Sequence, residues 1–178
     1  MNKDCKFCQK IGAPSREKLY EDSKIVVMLS DEPSAYGHII VMPKEHYPIV
    51  EQTPDFIVDH VFKVANKVSI VLFEVLKLQG TNLLVNNGIA AGQESAHFMV
   101  SVIPRKEDDG LNMQWPTKQL SEEEMSTVEL QLKEQAKSIG GFQKEKEAPL
   151  ELKKKTETIP QKGKEGESYL LKQWRKMP

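Results

Sequence analysis

The chain has 178 residues, of which 39% are hydrophobic, and this is enough for one domain with a buried core plus a tail. Its net charge of −1 argues against bulk electrostatic attraction to nucleic acid, and no apolar run is as long as a membrane span. The first residues, "MNKDCKFCQK", contain no hydrophobic signal segment. We therefore expect a cytoplasmic protein with neither a membrane nor a nucleic acid as its partner.

Two cysteines lie close together at the start of the chain. Cys5 and Cys8, in "CKFC", have the spacing that lets one turn offer two thiolates to a metal ion, although such pairs also serve redox chemistry. A structural disulfide is not expected in a reducing compartment. The spacing therefore leaves metal binding and redox chemistry open.

A closed tetrahedral zinc site would need two further ligands besides the cysteines. The chain offers four histidines for this role, His38, His46, His60 and His97. His60 falls in the middle of a predicted helix, where an ordinary histidine is expected. His46 and His97 would complete a chemically sound Cys₂His₂ set, but spacing alone does not separate this set from unrelated histidines.

Four short runs rich in β-branched residues and bounded by turn-forming residues predict strands. They are "KIVVMLS" (24–30), "HIIVMP" (38–43), "TNLLVN" (81–86) and "AHFMVSVIP" (96–104). The second and third runs are separated by a helical pattern, with Thr53 as its cap, Pro54 in its first turn and Gly80 after its end. Helices combined with short, closely linked strands predict an α+β domain with an antiparallel sheet.

The character of the chain changes after a second predicted helix, which begins at a capping box formed by Ser121 and Glu124. We assign residues 1–140 to the folded domain and residues 141–167, which are charged and poor in aromatic residues, to a flexible linker. Residues 168–178, "SYLLKQWRKMP", predict a short amphipathic segment. Its apolar side would consist of Leu170, Leu171, Trp174 and Met177. A helix this short is marginal alone, so this segment would dock either on the protein itself or on another protein.

The order and spacing of several motifs resemble those of the histidine triad (HIT) family. The motifs are "CKFC", "GHIIVMPKEHY", "NNGIAAGQES" and "AHFMVSVIPR". The resemblance implies a HIT-like α+β fold, in which a five-stranded antiparallel sheet packs with helices and two copies dimerise. It also implies a zinc ion held by Cys5, Cys8, His46 and His97.

The same resemblance implies a degenerate triad. Active members attack the α-phosphate of a nucleotide with the middle histidine, because an imidazole is nucleophilic near neutral pH. In this chain the triad positions hold His97, Met99 and Ser101, which share one face of an extended strand. With Met99 at the nucleophile position, we expect no catalytic residue.

Parts of the family's nucleotide site remain in the sequence. Ser30 stands where the family usually places an Asp or Asn that holds the ribose. The predicted nucleotide-binding residues are Ser30, His38, Asn86, Gln93 and Ser101. Without the resemblance, "NNG" would be interpreted simply as a tight turn.

Two classes of function follow. The first is a zinc-stabilised, homodimeric HIT-like protein that binds a purine nucleotide, or only a partner, without turnover. The alternative is a hydrolase or transferase that acts on nucleoside phosphoramidates or dinucleoside polyphosphates, with water activated by His38 or Ser101. A third hypothesis, a ribosome- or RNA-associated factor, gains no support from the near-neutral charge.

Overall fold

A computed structural model describes residues 2–14 and 16–143. The helices are α1 (Lys6–Gly12), α2 (Asp55–Leu76) and α3 (Glu122–Gln135); the strands are β1 (Lys18–Glu21), β2 (Ile25–Leu29), β3 (Ile39–Pro43), β4 (Gly80–Leu84) and β5 (Val100–Arg105). Most of the predicted linker (141–167) and all of the predicted segment 168–178 lie outside the described residues. None of the helices in the described part is both long and apolar enough to span a bilayer.

The strands form one five-stranded antiparallel sheet in the order β1-β2-β3-β5-β4. This confirms the predicted fold class. β5 pairs with β3 on one side and with β4 on the other, so that Ser101 lies opposite both Ile40 and Leu84. Since side chains alternate along each strand, this register fixes which residues share a face of the sheet.

Each face of the sheet is covered by a different helix. The long helix α2 buries Ile57, Val61, Ala65 and Leu72 against one face. On the opposite face, the short helix α1 packs Phe7 and Ile11 against residues such as Met28 and Ile40. Fully burying an aliphatic side chain stabilises a fold by about 1.5–3 kcal/mol, so these two layers account for much of the stability.

The ends of α2 differ from the prediction. Thr53 does not cap the helix; its hydroxyl donates to the carbonyl of Ile49, 3.2 Å away, and Pro54 occupies the cap position. The helix ends at Leu76 because Lys77 adopts a left-handed conformation, whereas Gly80 begins β4. The capping box of Ser121 and Glu124 at the start of α3 is confirmed.

Besides shifts of one or two residues at strand ends, the strands differ from the prediction in two larger ways. β1 was not among the predicted strands, because "KLYE" is short, mostly exposed and has no β-branched residues. β5 begins at Val100 rather than at residue 96. The reason is that Phe98 donates its N–H to the carbonyl of Tyr47 at 2.6 Å, which holds residues 97–99 beside the segment after β3.

Candidate metal centre and adjoining cleft

Four metal-ligating side chains converge between α1 and the sheet. Cys5 is the N-cap residue of α1, Cys8 lies within the helix, His46 follows β3 and His97 precedes β5. The ligand atoms of the four side chains lie within 4.8 Å of one another, and all of them except His46 are buried. The four metal ligands predicted from the sequence therefore lie close together in the structure.

The distances between these ligand atoms fit a tetrahedral ion. Cys8 Sγ lies 3.4 Å from His46 Nδ1 and 3.7 Å from His97 Nδ1, and Cys5 Sγ lies 3.5 Å from His97 Nδ1. Zinc–sulfur bonds of about 2.3 Å and zinc–nitrogen bonds of about 2.05 Å at a tetrahedral angle place sulfur and nitrogen about 3.6 Å apart. The cluster can therefore hold a metal ion with four protein ligands.

Hydrogen bonding and burial affect how His97 and Cys8 can bind a cation. His97 is fully buried, and its Nε2 lies 2.9 Å from the carbonyl oxygen of Pro43, to which it donates. This bond leaves the lone pair of Nδ1 directed at the cysteines, in the manner of metal-ligating histidines. Burial lowers the pKa of His97 and raises the pKa of the Cys8 thiol, so a bound cation is what favours the thiolate.

His60 stays outside this cluster. Its Nε2 lies 2.8 Å from Asp22 Oδ2, and neither residue belongs to the group of metal ligands. Burial alone would raise the pKa of Asp22, but backbone N–H groups and His60 lower it to about 2. His60 therefore has an ordinary structural role.

A cleft of about 230 Å³ lies against the metal cluster, and His97 belongs to its lining. All five predicted nucleotide-binding residues also line it: Ser30, His38, Asn86, Gln93 and Ser101. Met99 faces the same cleft as His97 and Ser101. The alternation expected of the three triad positions therefore holds, although only Ser101 lies within β5.

His38 is the most buried of the five, with 7% of its surface exposed. Its Nδ1 accepts a hydrogen bond from the backbone N–H of Ser34 at 3.1 Å, and burial lowers its pKa. The neutral imidazole therefore carries its proton on Nε2. Nε2 has no hydrogen-bond partner within the described residues, so His38 offers a donor and has no free basic nitrogen.

Gln93 braces the loop after β4. Its Nε2 donates to the carbonyls of Pro48 at 2.7 Å and Ser95 at 2.9 Å, and its Oε1 accepts the N–H of Gly88 at 2.8 Å. The side-chain amide of Gln93 thus has its hydrogen bonds within the protein, even though Gln93 lines the cleft. Asn86 supports the same loop by donating to the carbonyl of Gly92 at 3.2 Å.

Sequence reasoning missed the contribution of α1 to this cleft. Lys6 and Phe7, which lie between the two cysteines, line it together with Asp31 and Glu32. The ring of Phe7 meets the ring of His97 edge-on, with centroids 6.1 Å apart. The sequence places Lys6 and Phe7 between two predicted metal ligands, which indicates that they lie near the metal cluster. Only the packing of α1 shows that they also face the cleft.

Residues 13–108 match the HIT domain family. An adenylylsulfatase of Arabidopsis thaliana is 41% identical over 115 residues, which are 62% of this chain and 57% of that relative. The chain thus spans little more than half the length of the Arabidopsis protein.

Solved structures show the same fold. A HIT family protein from Bacillus anthracis superposes with a TM-score of 0.69 at 29% identity, covering 76% of this chain and 99% of the other. A zinc-bound histidine triad family protein from Mycobacterium smegmatis superposes with a TM-score of 0.58 at 28% identity, covering 76% and 97%.

Proposed function

This chain belongs to the HIT domain family, and we propose that it binds a purine nucleotide in the cleft without turning it over, on a scaffold held by zinc. One observation carries the proposal. The cleft presents Met99 where the family resemblance places the nucleophile, and it is also lined by His38, whose Nε2, the ring nitrogen that lacks a partner among the described residues, is a donor.

The absence of turnover follows from the chemistry of these side chains. A thioether such as Met99 cannot cycle a proton, and attack on phosphorus would leave a sulfonium that is not a useful intermediate. A serine hydroxyl such as Ser101 needs an adjacent base before it can act as a nucleophile. His38 does not supply that base, because its Nδ1 lone pair accepts the Ser34 N–H.

Binding draws on the groups that remain. His38 Nε2–H is buried and lacks an acceptor among the described residues, and a phosphate oxygen that displaces the groups covering it would satisfy it. The Ser101 hydroxyl lies on the same face of the sheet and can donate a second bond. Ser30 replaces a carboxylate or amide at the ribose position, so we expect a weaker grip on the sugar.

Zinc suits the metal cluster better than other ions because two thiolates and two imidazoles are its usual structural ligand set. Cys5, Cys8, His46 and His97 would fill all four positions. Zinc held in this way stabilises a fold and leaves no open position for a substrate.

A homodimer is the proposed assembly. β4 is an edge strand of the sheet, and its Leu83 is exposed. On α2, Val71 and Val75 are also exposed. Pairing of two β4 strands would make the two sheets continuous and cover apolar surface, as the family resemblance implies.

Hydrolysis remains the second candidate, because the Arabidopsis relative is named an adenylylsulfatase. If this chain were a hydrolase, its nucleophile would have to be water or Ser101, because Met99 occupies the position of the family's middle histidine.

The first prediction concerns the metal. Protein purified without chelator should contain one zinc per chain by elemental analysis, and chelation should lower the melting temperature by roughly 5–10 °C, since metal binding energy is folding energy. His46→Gln should lose the zinc, whereas the matched change His60→Gln should keep it. Metal-free protein with unchanged melting behaviour would overturn the assignment.

The second prediction concerns binding. Titration calorimetry of the zinc-loaded protein with AMP or GMP should give a dissociation constant between about 1 μM and 1 mM, equivalent to about −8 to −4 kcal/mol. Ser101→Ala should weaken binding, whereas Ser69→Ala, a serine that does not line the cleft, should not. If several millimolar nucleotide shifts no NMR signal of a cleft residue, the proposed function is wrong.

The third prediction concerns the degenerate positions. Met99→His alone should produce little hydrolysis of adenosine phosphoramidate, because Ser101 and Ser30 also depart from the active pattern. The triple change Ser30→Asp, Met99→His and Ser101→His should produce the most, with Met99→Leu as the inert control. Chromatographic product analysis checks this, and a single Met99→His variant as fast as the triple one would contradict it.

A further inference from the structure

The charged groups of the cleft are unevenly distributed. Asp31, Glu32 and Glu94 line it with carboxylates, whereas Lys6 is the only lysine or arginine among the described lining residues. Burial lowers the pKa of His38, which keeps that side chain neutral near pH 7. A phosphate that enters this cleft therefore has one cationic side chain available to it.

Lys6 lies at the wall of the cleft because its neighbours in α1 fix the position of its backbone. It lies between Cys5 and Cys8, whose side chains belong to the metal cluster. Its Nζ lies 5.3 Å from the ring centroid of Phe7, which is buried beside His97. The backbone of Lys6 is thus fixed, while its ammonium group lies at the rim.

The pair between Lys6 and Glu32 is weak. Lys6 Nζ lies 4.0 Å from Glu32 Oε1, and the two side chains are 49% and 73% exposed. Exposed pairs at such a distance contribute little, because water and salt screen them. Lys10 differs, since it is in close contact with Asp31 and does not line the cleft.

We propose that Lys6 is the cationic contact for the ligand's phosphate, leaving Glu32 when the ligand binds. This inference rests on the proposed nucleotide binding and deepens it by naming the side chain that contacts the phosphate, so that a nucleotide is bound more tightly than the nucleoside without its phosphate. An ammonium–phosphate contact is a charge-assisted hydrogen bond and is stronger than the screened pair it replaces. Lys6 also offsets the repulsion that the neighbouring carboxylates would exert on the phosphate.

The test compares AMP with adenosine on the zinc-loaded, full-length chain. Lys6→Gln should weaken AMP binding about tenfold, equivalent to about 1.4 kcal/mol, and change adenosine binding less than twofold. Lys6→Arg should restore most of the AMP affinity, since it keeps the charge. The matched control is Lys3→Gln, an exposed lysine in the turn before α1 that does not line the cleft, and it should change neither affinity. Equal zinc content in all variants reports that the metal cluster is intact.

The outcomes separate this inference from the proposed function. If wild-type protein binds neither AMP nor adenosine, the proposed function fails and the inference fails with it. If AMP binds and Lys6→Gln changes its affinity less than twofold, only the inference is overturned. The same holds if Lys6→Gln weakens AMP and adenosine equally, because Lys6 would then support the cleft without contacting the phosphate.

Discussion

The convergence of four metal donors is the constraint on which the rest of the site depends. Cys5 and Cys8 come from the start of the chain, whereas His46 and His97 flank two strands of the sheet. A helix of seven residues such as α1 does not persist alone, so its place is set by packing and by these donors. Because α1 also carries Lys6 and Phe7, the cluster that anchors the helix positions one wall of the cleft.

His97 belongs to the metal cluster, whereas Met99, two residues further on, stands at the position of the family's nucleophile. His97 faces the cysteines through Nδ1 and donates to Pro43 through Nε2, so both ring nitrogens are used whether or not a reaction occurs nearby. Met99 faces the cleft and contacts the apolar cluster beneath α1. The fold, the metal donors and the cleft of this chain therefore do not require a histidine at position 99.

The sequence predicted those features that depend on local chemistry or on strong motifs. The donor set followed from residue type and family resemblance, and the capping box from two residues three apart, Ser121 and Glu124. Features set by distant contacts were missed or displaced. β5 starts late because Phe98 bonds to Tyr47, and the donor role of His38 depends on the position of the Ser34 N–H. No local pattern reports such contacts.

One phosphorus NMR time course tests the central claim, that the cleft binds a nucleotide and leaves it intact. The zinc-loaded protein would be mixed with an equal amount of adenosine 5′-phosphoramidate at a concentration above the dissociation constant. The phosphorus signal should shift and broaden on binding. Over the following hours it should decay no faster than the signal of the protein-free control. Conversion to the AMP signal at a rate proportional to protein concentration would contradict the account, and so would a signal that the protein never shifts.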